Sequence, residues 1–207
     1  LEGERFPTWM QPVNQFNSPA TLVAMLGSGS SAQPFKTVQD YDNWLRRAGQ
    51  VPALFDQAVA NMEQGMAAGV VQPRPLMEKV LPQLDALIRP TAEQTLFWNP
   101  ITNLPAGFSE AERQRLTADY RRMIEGQLLP AYRRLRQFIA ERYLPATRDS
   151  AGLGALPDGA HWYAFSARQS TTTDLTPEQI HQIGLDEVAR IQAQIRKVMK
   201  QVKFRGS

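Results

Sequence analysis

The residues best suited to chemistry lie in one short aromatic stretch, HWYAF at 161–165, which directly follows the turn sequence LPDG at 156–159. A histidine among aromatic residues is typical of pocket linings, where the imidazole and the phenol can hydrogen-bond a ligand. The aromatic content predicts a short strand with alternating side chains, so that His161 and Tyr163 share one face. Packing of these rings in a core strand is the alternative interpretation.

The chain has few residues of the types that bind metal ions or act as nucleophiles. The chain has two histidines, His161 and His181, and no cysteine, which excludes a disulfide framework, a thiolate nucleophile and a cysteine-ligated zinc. Asp186 and Glu187 follow His181 off the i,i+4 spacing that would place them beside it on a helix face. No serine sits in a Gly-x-Ser-x-Gly elbow. We therefore expect no catalytic residue, no metal ligand set and no cofactor within this chain.

The composition is that of a globular chain, with 43% hydrophobic and 21% charged residues and a net charge of +3. Arginines are frequent between residues 110 and 148 but are interleaved with acids, which predicts a solvated helix face rather than a phosphate-binding stripe. We expect no nucleic-acid partner. Proline, glycine or charge interrupts every apolar run before the length of about 18 residues that a membrane span needs, so no membrane span is expected either.

Both ends of the sequence suggest a portion of a longer polypeptide. The first residues, LEGERFP, lack an initiating methionine and the layout of a signal peptide. At the other end a helical pattern runs to Val202 and stops shortly afterwards. We expect residues 1–207 to be one helical segment of a larger protein.

Apolar periodicity predicts a mainly α scaffold, with long kinked helices, irregular connections and at most one short strand or hairpin. Prolines are expected to kink two of the helices, at Pro82 and at Pro130, and two separate helices that meet near Pro130 are the alternative there. The expected segments are an irregular arm over 1–36 with a short helix at 19–26, helices over 37–88, a long helix over 109–144, a turn and short strand over 156–175, and a helix over 177–203.

Four stretches of the sequence resemble the family called domain of unknown function 885. They are AQPFKTVQDYDNWL at 32–45, MEQGM at 62–66, LPDG at 156–159 with Tyr163, and STTTDLTPEQIHQIGL at 170–185. The resemblance implies a bacterial protein of the cell envelope or periplasm, often lipid-anchored. It also implies a largely helical fold similar to gluzincin-type zinc metallopeptidases, with an H-E-x-x-H helix in the C-terminal half of a much longer chain.

Neither histidine of this chain is followed by glutamate, so no zinc ligand or general-base glutamate can be assigned to a numbered residue. The resemblance implies zinc for the full-length protein, and it implies that this segment forms one helical wall of a peptidase-like cleft. The residues it favours for facing that cleft are His161, Tyr163, Thr172 and Thr173. The expected partners are the remainder of the polypeptide and a peptide substrate, and the segment alone is expected to be inactive.

A second interpretation belongs to a different class. In it the chain is a helical binding or interaction domain that carries out no catalysis. The two interpretations differ in whether an H-E-x-x-H helix follows residue 207 in the encoded protein.

Overall fold

The computed structural model describes residues 2–204 and 206, and nearly all of its regular structure is helical. Within those residues there is no strand, and the β-type pairing is a single isolated bridge between Pro73 and Arg148. The prediction of a mainly α fold is confirmed. We number the α-helices in chain order as α1 Pro19–Gly27, α2 Val38–Ala48, α3 Val51–Ala68, α4 Arg74–Glu78, α5 Val80–Leu87, α6 Asn99–Thr102, α7 Glu110–Met123, α8 Leu129–Phe138, α9 Leu144–Ala146, α10 Gly159–Thr171 and α11 Pro177–Gln201.

Capping boxes begin three of these helices at the positions that the sequence predicts. At α11 the backbone N–H of Gln179 donates to Thr176 Oγ1 over 3.2 Å, and the N–H of Thr176 donates to Gln179 Oε1 over 2.8 Å. The equivalent reciprocal pairs are Thr37 with Asp40 at α2 and Ser109 with Glu112 at α7. Each box satisfies two backbone donors that a helix start otherwise leaves unpaired.

Helical structure is continuous from α7 to α9 and is widened twice into π-helical turns, at Ile124–Leu128 and Ile139–Tyr143. Each π turn is followed by an α segment whose second residue is a proline, Pro130 or Pro145. Proline lacks the N–H and crowds the preceding turn, and a wider turn accommodates both effects. The interruption predicted at Pro130 is confirmed, whereas the one at Pro145 was not predicted.

The helix predicted from Pro75 to Ile88 is interrupted in the turn before Pro82. The break falls at Lys79, between α4 and α5, and Pro82 lies in the first turn of α5. Because proline lacks an N–H for the carbonyl four residues earlier and crowds that carbonyl, this break is the interruption predicted for Pro82. A first-turn proline needs no N–H because that donor has no partner within the helix.

The described residues form two compact units, one over residues 7–151 and the other made of residues 2–6 together with residues 152–204. The core of the first unit is aromatic and aliphatic. Its largest fully buried side chains are Tyr41, Tyr120, Tyr132, Tyr143, Phe55, Phe97, Met62, Met77, Leu84, Leu116, Ile124 and Leu128. Met62 and Met77 thus fill the core, as their helical spacing predicts.

The second unit corrects the predicted strand, because residues 161–165 lie inside α10. Asp158 takes a left-handed conformation with φ of 54°, and the helix starts at the next residue. Trp162 stacks on Phe6 with the ring centroids 5.6 Å apart, and the Phe165 ring packs against Phe6 at a tilt, with the centroids 5.2 Å apart. A separation of three residues puts two side chains on the same face of a helix, but on opposite faces of a strand. Aromatic content alone could not distinguish these periods.

Candidate binding groove

A groove of about 790 Å³ opens in the second unit, where α10 faces the start of α11. Three segments form its walls. They are the start of the 3-10 helix Leu153–Ala155 with the residue before it, one side of α10, and residues 174–178, which lead from α10 into the first turn of α11. The lining residues are Gly152, Leu153, Gly154, Ala160, Tyr163, Ala164, Arg168, Asp174, Leu175, Thr176, Pro177 and Glu178.

The spacing of small residues on α10 explains why this space is open. Ala160, Ala164 and Arg168 follow one another at intervals of four residues and so share one face of the helix. Two methyl side chains on that face leave room above the backbone. Thr172 ends α10 in a left-handed conformation with φ of 56°, and Thr176 caps α11 four residues later. The short connection therefore brings the start of α11 against the small-residue face.

The polar groups of the groove are only partly engaged. Asp174 and Glu178 are exposed, and within the described part of the chain neither carboxylate takes part in a hydrogen bond or an ion pair. Tyr163 is 52% exposed, and its hydroxyl likewise has no hydrogen-bond partner among those residues. The Arg168 guanidinium lies over the Phe165 ring, 5.9 Å from its centroid. The groove thus offers an apolar floor, two uncompensated carboxylates and one phenol.

Of the four residues predicted to face a cleft, Tyr163 lines the groove and the other three do not. The His161 side chain is 78% exposed, and its Nδ1 contacts Asp158 Oδ1, while Arg5 approaches the other carboxylate oxygen to 3.5 Å. Thr172 occupies the left-handed end of α10. Thr173 Oγ1 lies 3.0 Å from Thr171 Oγ1.

Asp174 and Glu178 were not predicted as site residues. Asp174 lies just before the Thr176–Gln179 capping box and Glu178 lies within it, at the start of the helix predicted over 177–203. A helix start directly after a threonine-rich turn is the signal that could have drawn attention to them.

A family model described as "Bacterial protein of unknown function (DUF885)" matches residues 2–207. The chain belongs to this family. Among solved structures, the DUF885 chain is similar to one described as the putative lipoprotein from Colwellia psychrerythraea, with 25% sequence identity and a TM-score of 0.83. The likeness covers 97% of this chain and 35% of that one, so the DUF885 chain spans about a third of its solved relative. A search of curated proteins finds no match.

The described residues of the DUF885 chain do not fit a zinc site. Among the side chains that the structure describes, there is no group of three or more histidines, aspartates or glutamates close enough together to hold a metal ion. His181 is exposed on α11, and His161 is engaged with Asp158. A catalytic zinc ordinarily needs three converging protein ligands. We therefore derive no step through zinc from the residues of this chain.

Among the described residues, no helix of the chain is both long enough and apolar enough to cross a membrane.

Proposed function

We propose that this chain is the helical scaffold of a larger zinc-dependent, peptidase-like hydrolase whose metal ligands and general base lie outside these 207 residues. The observation that carries the proposal is an uncovered apolar stripe on α11. Support comes also from the solved relative, of which the chain spans 35%.

The stripe occupies the C-terminal part of a 25-residue helix that has no buried residue. Its members recur at intervals of three or four residues and are between 45% and 67% exposed, and they are Val188, Ile191, Ile195, Val198 and Val202. Apolar patches of this extent normally contact another protein surface. Further polypeptide packed on α11 would remove the stripe from water, which is what a scaffold segment of a longer protein requires.

The hydrolase chemistry rests on the resemblance of residues 32–45, 62–66, 156–159 and 170–185 to a family with gluzincin-like members. Zinc in such a protein activates a water molecule for attack on a carbonyl carbon. The part assigned to this chain is to build one wall of the cleft and to contact a peptide there, with Tyr163 as the predicted cleft residue that lines a groove.

Location and partners follow as further parts of the proposal. The solved relative is described as a putative lipoprotein, which favours the cell envelope for this chain as well, with a lipid anchor elsewhere in the polypeptide. The partners are the remainder of the same polypeptide, which covers α11, and a peptide substrate.

The experiment begins with the gene that encodes these residues. We expect the reading frame to continue past residue 207 into a helix with the H-E-x-x-H pattern. The protein expressed from the whole frame should hydrolyse a mixture of unstructured peptides and lose that activity when a chelator removes zinc, whereas the 207-residue chain should not hydrolyse them. A frame that ends near residue 207 would contradict the hydrolase proposal.

The second candidate is a helical interaction domain without catalysis, and the same stripe on α11 favours it. In that case the stripe binds a different protein. A complete reading frame with no H-E-x-x-H helix, together with a stable complex that buries α11, would support it over the hydrolase.

A further inference from the structure

The groove between α10 and α11 has a composition that selects one class of ligand. We propose that it binds a peptide through a primary ammonium group beside an apolar side chain, with the ammonium at Asp174 and Glu178 and the apolar side chain on the floor. This names the ligand class of the proposed peptidase-like function and rests on it, although the binding itself requires no catalysis.

The floor of the groove is apolar, so it suits an apolar side chain of a ligand. Leu153 and Leu175 contribute branched side chains, Ala160 and Ala164 leave the space above them open, and the Tyr163 ring borders them. The volume of about 790 Å³ lies within the range of about 300–1,000 Å³ that is usual for small-ligand sites. Removing an aliphatic side chain from water on such a floor supplies the non-specific part of the affinity.

Charge decides which ligand fits beside that floor. Three charged side chains line the groove, namely Asp174, Glu178 and Arg168, and the two carboxylates have no cationic partner in the described ranges. Arg168 is already placed over the Phe165 ring. A cationic ligand would neutralise part of this acidic pair, whereas an anionic ligand would add to it.

The start of α11 could instead attract an anion, because the N-terminus of a helix carries a partial positive charge. Here that end is already occupied. The Thr176 hydroxyl accepts from the Gln179 N–H, the Gln179 side chain accepts from the Thr176 N–H, and Glu178 supplies a negative charge in the first turn. The helix end is thus compensated from within, and the remaining acidity of Asp174 favours a cation.

The Tyr163 hydroxyl provides the third contact. It is exposed on the groove side of α10 and has no partner among the described residues, so it can donate to a peptide carbonyl or accept from a peptide N–H. An ammonium, an apolar side chain and a backbone group in succession are what a peptide presents at its amino terminus. A lysine flanked by apolar residues presents the same groups.

The test is a calorimetric binding titration of the 207-residue chain with three peptides whose carboxyl ends are amidated. Leu-Ala-Leu amide carries a free amino terminus, its N-acetylated form carries no ammonium, and N-acetyl-Leu-Lys-Leu amide carries only the lysine ammonium. We expect the acetylated Leu-Ala-Leu amide to bind about fivefold more weakly than the free form, which corresponds to the loss of about 1 kcal/mol for a partly exposed ion pair. High salt should reduce the difference.

Variants assign the effect to the groove. The double variant Asp174→Asn, Glu178→Gln should bind Leu-Ala-Leu amide about fivefold more weakly than the parent chain does. Its affinity for N-acetyl-Leu-Ala-Leu amide should be unchanged. The control double variant Asp186→Asn, Glu187→Gln also removes two negative charges, from a part of α11 that does not line the groove, and should leave both affinities within about twofold. Circular dichroism of every variant checks that the helices remain intact.

The outcomes separate clearly. Tighter binding of either ammonium-bearing peptide than of N-acetyl-Leu-Ala-Leu amide supports the proposal. The peptide that binds more tightly shows whether an amino terminus or a lysine supplies the ammonium. Equal affinity for the free and acetylated peptides, no binding of any of the three, or a folded double variant that binds as well as the parent chain would overturn it. None of these results bears on whether the longer protein hydrolyses peptides, so the two proposals can fail independently.

Discussion

The hydroxyl of Tyr132 donates a hydrogen bond of 2.6 Å to the backbone carbonyl oxygen of Ala20, 112 residues earlier in the chain. Both groups are buried, and the bond joins α8 to the first turn of α1. Burial removes water as an alternative partner for the phenol, whereas the Ala20 carbonyl, as part of α1, also accepts from the helix backbone. This long-range bond fixes α1 on the core of the first unit.

Removing the Tyr132 hydroxyl should therefore cost more than removing that of Tyr120, which is buried but has no hydrogen-bond partner. We expect Tyr132→Phe to lower the free energy of unfolding by about 0.5–1.5 kcal/mol, because it removes one buried hydrogen bond while the Ala20 carbonyl keeps its partner within α1. Tyr120→Phe should leave it unchanged or raise it slightly. Urea unfolding of both variants measures the difference, and equal losses would contradict the assigned roles.

Alkaline pH should unfold the chain through its buried tyrosines. Burial raises the pKa of Tyr41 to about 12, and it also raises the pKa values of Tyr120, Tyr132 and Tyr143. An unfolded tyrosine ionises near pH 10, so the folded state holds these protons more tightly. Their contribution to stability is complete below about pH 10 and is lost as the pH rises toward the folded pKa values.

The absorbance of tyrosinate measures this directly during a titration. We expect the signal of these tyrosines to rise together with the loss of helical circular dichroism above pH 10, whereas in denaturant all tyrosines should ionise near that value. Ionisation of all of them near pH 10 with the helices intact would contradict the burial of these rings.

The sequence predicted helices well where caps and apolar spacing agree, as at Thr37, Ser109 and Thr176. The prediction failed where the composition of a short stretch favoured a strand but the tertiary contacts of its side chains require a helix. Residues 161–165 are aromatic enough for a strand, but Trp162 and Phe165 pack on Phe6 with helical spacing. Contact with a residue so distant in sequence is not visible in local composition.

The candidate groove was predictable only in part, for a related reason. Tyr163 is predictable as a site residue because a tyrosine close to a turn, beside a histidine, is typical of pocket linings in which the phenol hydrogen-bonds a ligand. Asp174 and Glu178 line the groove because they lie opposite the small residues of α10. That arrangement depends on how the connection between α10 and α11 folds, which local sequence does not reveal. A carboxylate near a helix start is otherwise an ordinary surface residue.

Gly65 should tolerate no larger side chain. A Cβ built on it would lie 2.6 Å from the carbonyl oxygen of Val70 and 2.9 Å from that of Met10, and backbone atoms cannot move aside as a flexible side chain does. We expect Gly65→Ala to lower the free energy of unfolding by about 1–3 kcal/mol. Gly126 has nothing within 4 Å of its ideal Cβ position, so Gly126→Ala should be neutral or slightly stabilising. Thermal unfolding compares the two, and a larger loss at Gly126 would contradict this packing.

The stripe on α11 should make the 207-residue chain self-associate. We expect the double variant Ile191→Glu, Ile195→Glu to shift the chain toward a monomer in sedimentation velocity, because it charges the middle of the apolar face. Ala193 lies on the opposite side of the helix, so Ala193→Glu should leave association unchanged. A parent chain that is monomeric at all concentrations, with a sharp concentration-independent thermal transition, would contradict the inference that the stripe requires a cover.

Zinc content tests the central claim most directly, since the proposal assigns the metal ligands to residues outside this chain. The 207-residue chain, purified without a tag and dialysed against metal-free buffer, should retain far less than one zinc ion per chain. Two separated histidines and no cysteine cannot close a zinc site. One zinc ion per chain that survives dialysis, and is lost on His161→Ala or His181→Ala, would contradict the account.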